Sequence, residues 1–109
     1  MVRVPTHGPP THPGEVILEE FLKPLEMTQT EFAKRLGVDW SRANKLIRGK
    51  RSVTPDTALR LEKLFGMPAD FWLTLQLRWD LYHALHSPGA KEIEKIRRAP
   101  GLRRLAKSA

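Results

Sequence analysis

Apolar residues recur at helical spacing in five successive stretches, and this pattern predicts an all-α chain. Ile17, Leu18, Phe21 and Leu22 form the first stripe. Its helix is expected to begin near Pro13, a favourable first helical residue, with Thr11 or His12 as its cap. Pro24 is expected to end it, with Leu25 tucked under the turn. Phe32, Ala33 and Leu36 form the second stripe, behind a Thr28-x-x-Glu31 capping box. Gly37 follows, where a helix end needs a residue that tolerates positive φ, and Val38 can plug the turn. Asp39 caps the third stretch, in which Trp40, Ala43, Leu46 and Ile47 share one arc. Trp40 is expected to be half-buried against Ala43 and Ile47. Gly49 ends this stretch. Thr54 and Pro55 open the fourth, with Ala58, Leu59, Leu61, Leu64 and Phe65 apolar, and Gly66 stops it.

The fifth stretch, from near Pro68 to about His86, is apolar on two sides. Phe71, Trp72, Leu75, Trp79 and Tyr82 occupy one arc, and Leu73, Leu77, Leu81 and Leu85 much of the opposite side. Only Gln76, Asp80 and His83 form a purely polar strip. A domain this small covers one such face, so the leucine face is expected to form the contact with a second copy. The competing reading has the C-terminal tail covering that face. A short helix is expected within residues 90 to 99, with Ile93 and Ile96 as its large apolar residues. A basic tail follows.

The polar positions of the third stretch change the picture from fold to function. Ser41, Arg42, Asn44, Lys45 and Arg48 lie opposite its apolar arc, and Lys50 and Arg51 come directly after. A helix with an apolar back and such a front suits a major groove, where these side chains can bond to base edges and phosphates. Ser41, Asn44 and Lys45 are assigned to bases. Gln29, Arg42, Arg48, Lys50 and Arg51 are assigned mainly to phosphates. Trp40 is expected to hold its indole edge toward DNA.

Charge agrees with this assignment. The 109 residues carry a net +7. Residues 34 to 51 hold seven Lys/Arg against Asp39 alone, whereas residues 14 to 26 are acidic. A basic band suggests a polyanion, and an acidic helix a basic partner. There is no cysteine and no run of 18 apolar residues. The start of the chain lacks the apolar core of a secretory signal. A soluble cytoplasmic, nucleoid-associated protein is therefore expected, without membrane contact. No nucleophile–base pair, phosphate-binding loop or metal constellation is present, so neither catalysis, cofactor nor metal is expected.

Gln29, Ala33, Gly37 and Leu46, at their spacing, resemble the Xre/Cro-type helix-turn-helix of phage repressors. The stretches HPGEVILEEFLKPLEMTQTEFAKRLGV and TPDTALRLEKLFGMPADFWLTLQLRWDL narrow the resemblance to HigA-family antitoxins of toxin–antitoxin modules, over residues 12 to about 85. HPGE and FWLTLQ are its most telling pieces. The resemblance implies a five-helix, lambda-repressor-like domain, here residues 13–86; outside it, the Pro-, Gly- and Thr-rich residues 1–12 read as a flexible arm and residues 87–109 as a basic, partly helical extension. It implies a homodimer, repression of the protein's own operon through operator DNA, and neutralisation of a HigB-like toxin of the RelE-like, mRNA-cleaving kind. The acidic residues Glu15, Glu19 and Glu20 are the candidate toxin-binding group. The alternative is a stand-alone Xre-type repressor without a toxin. The sequence departs from the motif at Ala43, where a larger β-branched residue is usual, and at Arg48, where Asn is common.

Overall fold

The computed structural model describes residues 9–108 as seven helices, with no strand among the described residues. Most of the predicted arm, residues 1 to 8, lies outside the described residues.

The first helix, α1 (residues 13–25), is a rod in three parts: α-helical Pro13–Val16, a π-helical middle Ile17–Leu22, and α-helical Lys23–Leu25. The cap is His12, whose Nδ1 accepts the Gly14 N–H at 2.9 Å. Pro24 does not end the helix. A proline has no N–H to give and its ring collides with the carbonyl four residues back. The wide π turn ahead of it, where the Lys23 N–H reaches Leu18 O, lets the rod pass through. It stops two residues later, at Glu26 in the left-handed region (φ 53°), and leaves Leu25 exposed instead of tucked.

Helix α2 (Gln29–Leu36) begins on Thr28, whose hydroxyl accepts the Glu31 N–H at 3.1 Å. Only this half of the capping box forms, because the Glu31 carboxylate turns to Arg35 Nε at 2.8 Å. Gly37, at φ 78°, turns the chain toward the next helix, and Val38 packs on the core beneath it. Helix α3 (Trp40–Ile47) is capped by Asp39, whose carboxylate accepts the Arg42 N–H at 2.7 Å. Helix α4 (Pro55–Phe65) starts on Thr54 and ends on Gly66 at φ 82°.

Helix α5 (Ala69–Leu85) has no side-chain cap of its own, and the Glu62 carboxylate of α4 accepts its Ala69 N–H at 2.9 Å. Trp72 and Leu75 are buried in the core with Ile17, Leu22, Phe32, Leu36, Leu46 and Leu61. Phe65 stacks with both Phe21 and Phe32, and Phe21 and Phe65 lie beside Trp72. Gln76 is buried with them, which corrects its assignment to the polar strip. Leu59 of α4 faces outward, not inward.

Helices α6 (Ala90–Glu94) and α7 (Leu102–Ser108) follow. Every residue from 91 to 105 is exposed, so the extension does not fold back over α5. Among the described residues, no helix is long and apolar enough to cross a membrane.

Candidate nucleic-acid interface

Helix α3 divides as its sequence demands. Ala43, Leu46 and Ile47 are buried, while Ser41, Lys45 and Arg48 are exposed on the opposite side. Gly14 explains how α1 meets the back of α3. A Cβ at Gly14 would collide with the Leu46 and Ile47 carbonyl oxygens, so only glycine admits this approach. The His12 ring lies beneath Gly49, just past the end of α3, and edge-on to Trp79 of α5 at 5.0 Å. The segment HPGE is thus a seat for the C-terminal end of α3.

Helix α3 is held from both flanks. On one, Asn44 Nδ2 donates to Gln29 Oε1 at 2.8 Å, tying α3 to the first residue of α2. On the other, the Arg42 guanidinium donates to Asp56 Oδ2 at 3.1 Å and to Thr57 Oγ1 at 3.0 Å on α4. Asp56 also accepts from Arg60 Nε at 2.9 Å, and Arg60 reaches the Leu36 carbonyl at 3.0 Å, capping the end of α2. The bonds from Arg60, and then from Arg42, hold the Asp56 carboxyl below its usual range. Arg42 therefore points to α4, whereas the sequence placed it on the outward front.

The basic loop after α3 is also fixed. Val53 is buried, and its N–H donates to Gln76 Oε1 at 2.9 Å, while Gln76 Nε2 donates to Asp80 at 3.0 Å. This pins one end of the loop that carries Lys50 and Arg51, both exposed. Sequence reasoning missed Gln76, because a lone glutamine among leucines reads as a solvent-facing position. Together Asp39, Ser41, Arg42, Lys45 and Arg51 line an open, largely polar depression of about 460 Å³.

Trp40, at 53% exposed, is half-buried, and Ala43 of the same helix is closed off from solvent.

The other predicted groups divide. Leu77, Leu81 and Leu85 are exposed at 55%, 53% and 65%, but Leu73 packs against the core. Glu15, Glu19 and Glu20 are exposed on α1, with Glu19 paired to Lys23 at 2.8 Å.

A Helix-turn-helix family profile matches residues 18–72. Virulence-associated protein I of Dichelobacter nodosus is 47% identical over 73 residues, covering 67% of this chain and 68% of that protein. The solved structure of antitoxin GraA superposes with a TM-score of 0.79 at 34% identity, covering 85% of this chain and 100% of that one. A second structure holds GraA in complex with its operator. The Pseudomonas aeruginosa antitoxin HigA with the higBA promoter gives a TM-score of 0.75 at 31% identity, over 80% of this chain and 95% of that one. The matched family is a helix-turn-helix family and the matched structures are antitoxins, not enzymes.

Proposed function

This chain belongs to the Xre-type helix-turn-helix family, in its HigA antitoxin branch, and we propose that it binds operator DNA in a sequence-specific way, represses its own operon and neutralises a HigB-like toxin. The observation that carries the DNA reading is the fixed orientation of α3. Its apolar side is buried, its Ser41, Lys45 and Arg48 side is open, and both flanks are hydrogen-bonded to neighbouring helices. A helix held this way enters a major groove as a rigid reader. Ser41, Asn44 and Lys45 then meet base edges, and Gln29, Arg48, Lys50 and Arg51 meet phosphates. In this reading Arg42 acts as a positioning residue, since its guanidinium is engaged by Asp56 and Thr57.

The toxin reading rests on the relatives and on the exposed carboxylates of α1, which suit a basic partner. The toxin is of the RelE-like, mRNA-cleaving kind in this proposal. The protein works as a homodimer through Leu77, Leu81 and Leu85, and acts in the cytoplasm at the nucleoid.

Expression of the native operon with a tag on this chain tests the proposal. A short basic protein should co-purify, and the complex should retard the operon's upstream duplex but not an unrelated one. Retardation without a co-purifying protein would leave a stand-alone repressor. No preference for the upstream duplex would overturn the DNA reading.

A further inference from the structure

We infer that Trp40 is a thymine-reading residue, its indole packing on the 5-methyl group of a thymine in the major groove. The inference rests on the DNA-binding reading above and names what part of an operator that site requires.

Trp40 is the first residue of α3, the end that reaches base edges when such a helix enters the groove. About half of it stays open to solvent, and it makes none of the ring contacts that engage Trp72 and Trp79. The open half of a large apolar ring is thus left in water on an otherwise polar, cationic face, at a cost that burial against a ligand would reverse.

Its place on the helix says what it meets. Trp40 and Asn44 are one turn apart on the same flank, about 40° apart around the axis. The bond from Asn44 to Gln29 fixes that flank and leaves Asn44 Oδ1 and its second amide hydrogen available. The Asp39 carboxylate accepts the Arg42 N–H as the cap of α3. A turn of helix rises about 5.4 Å, so Trp40 lies one or two base steps from whatever Asn44 contacts. Indole offers one donor and no acceptor, so base-edge hydrogen bonding is a minor resource for it. The thymine methyl is the apolar feature that the major groove presents.

The test begins with the full chain and a random duplex pool. Sites enriched by the wild-type protein are resynthesised with each thymine replaced singly by deoxyuridine, which removes only the methyl. Wild type, Trp40→Ala and Trp40→Phe are titrated against the set. At one or more thymines, deoxyuridine should weaken wild-type binding about four-fold, the worth of one buried methyl. The same change should leave Trp40→Ala unaffected and cost Trp40→Phe an intermediate amount. The deoxyuridine comparison is made between duplexes on one protein, so a lower melting temperature of Trp40→Ala does not by itself alter the readout. The inference is overturned if no deoxyuridine effect depends on residue 40, or if Trp40→Ala loses affinity uniformly together with thermal stability. Failure of the wild type to enrich any sequence would instead overturn the DNA-binding reading itself, before any substitution is made.

Discussion

His12 accepts the Gly14 N–H through Nδ1, so that nitrogen carries no proton in the folded state. Burial lowers the pKa of the ring below its ordinary value of 6.5, and the charge of Asp80 opposes this only in part. Protonation would turn the acceptor into a donor and remove the cap of α1. A pKa lowered by folding means that the unfolded chain binds the proton more readily. The His12 contribution to stability is therefore complete above about pH 6.5, and is lost as pH falls from there through the lowered folded value. Thermal melts from pH 7.5 to 5 should show the midpoint falling with acid in wild type. His12→Asn, which can cap without titrating, should flatten that fall. Equal slopes for the two proteins would refute the role. The front of α3 makes a second residue-level prediction. Lys45→Ala should cost about 1–3 kcal/mol of operator binding and relax sequence preference. Lys50→Ala should weaken all duplexes alike and flatten the salt dependence. Shift assays across salt concentrations distinguish them, and untouched specificity in Lys45→Ala would mean that α3 enters the groove with a different face.

Elements are positioned here by polar side chains that reach between them. Gln76 is the clearest case, because its amide joins α5 to the loop after α3. Gln76→Leu would keep the volume and orphan the buried Val53 N–H, at about 1–3 kcal/mol. Denaturant unfolding should show that loss, and DNA binding should weaken as Lys50 and Arg51 lose their fixed approach. Unchanged stability would mean that water replaces the amide. Such links mark where the sequence stopped being legible. Periodicity, Gly37, Gly66 and the caps at Thr28, Asp39 and Thr54 are local signals, and each gave its element correctly. The Arg42–Asp56, Arg60–Leu36 and Gln76–Val53 bonds join residues 14 or more positions apart, with no local pattern to announce them. Pro24 misled because a π turn relieves the clash that ends an ordinary α-helix.

At the scale of the whole molecule, one α3 touches too few bases for useful specificity. A two-fold pair separated by about 34–36 Å would reach successive major grooves on one side of a duplex. The basic face cannot hold that spacing, since it would repel its copy. Leu77, Leu81 and Leu85 recur every four residues on the outside of α5 and remain exposed, a row fit to pack as a ridge. Leu73 continues the row in sequence but is partly buried against the core, so the contact should lie toward the C-terminal half of α5. Ile93 and Ile96, exposed on and just after α6, lie close enough in the chain to flank it. The double change Leu77→Asp, Leu81→Asp would place carboxylates where association removes water, and an unpaired charge in such a contact costs several kcal/mol. Circular dichroism should show an intact helical domain, because Trp72 and Leu75 on the inner face are untouched. Light scattering should find a dimer in wild type and a monomer in the variant at micromolar concentration. Operator affinity should fall steeply, each half-site then binding alone. A variant that stays dimeric would move the contact to another face, and a wild type that is monomeric would leave the exposed leucine row for a different protein.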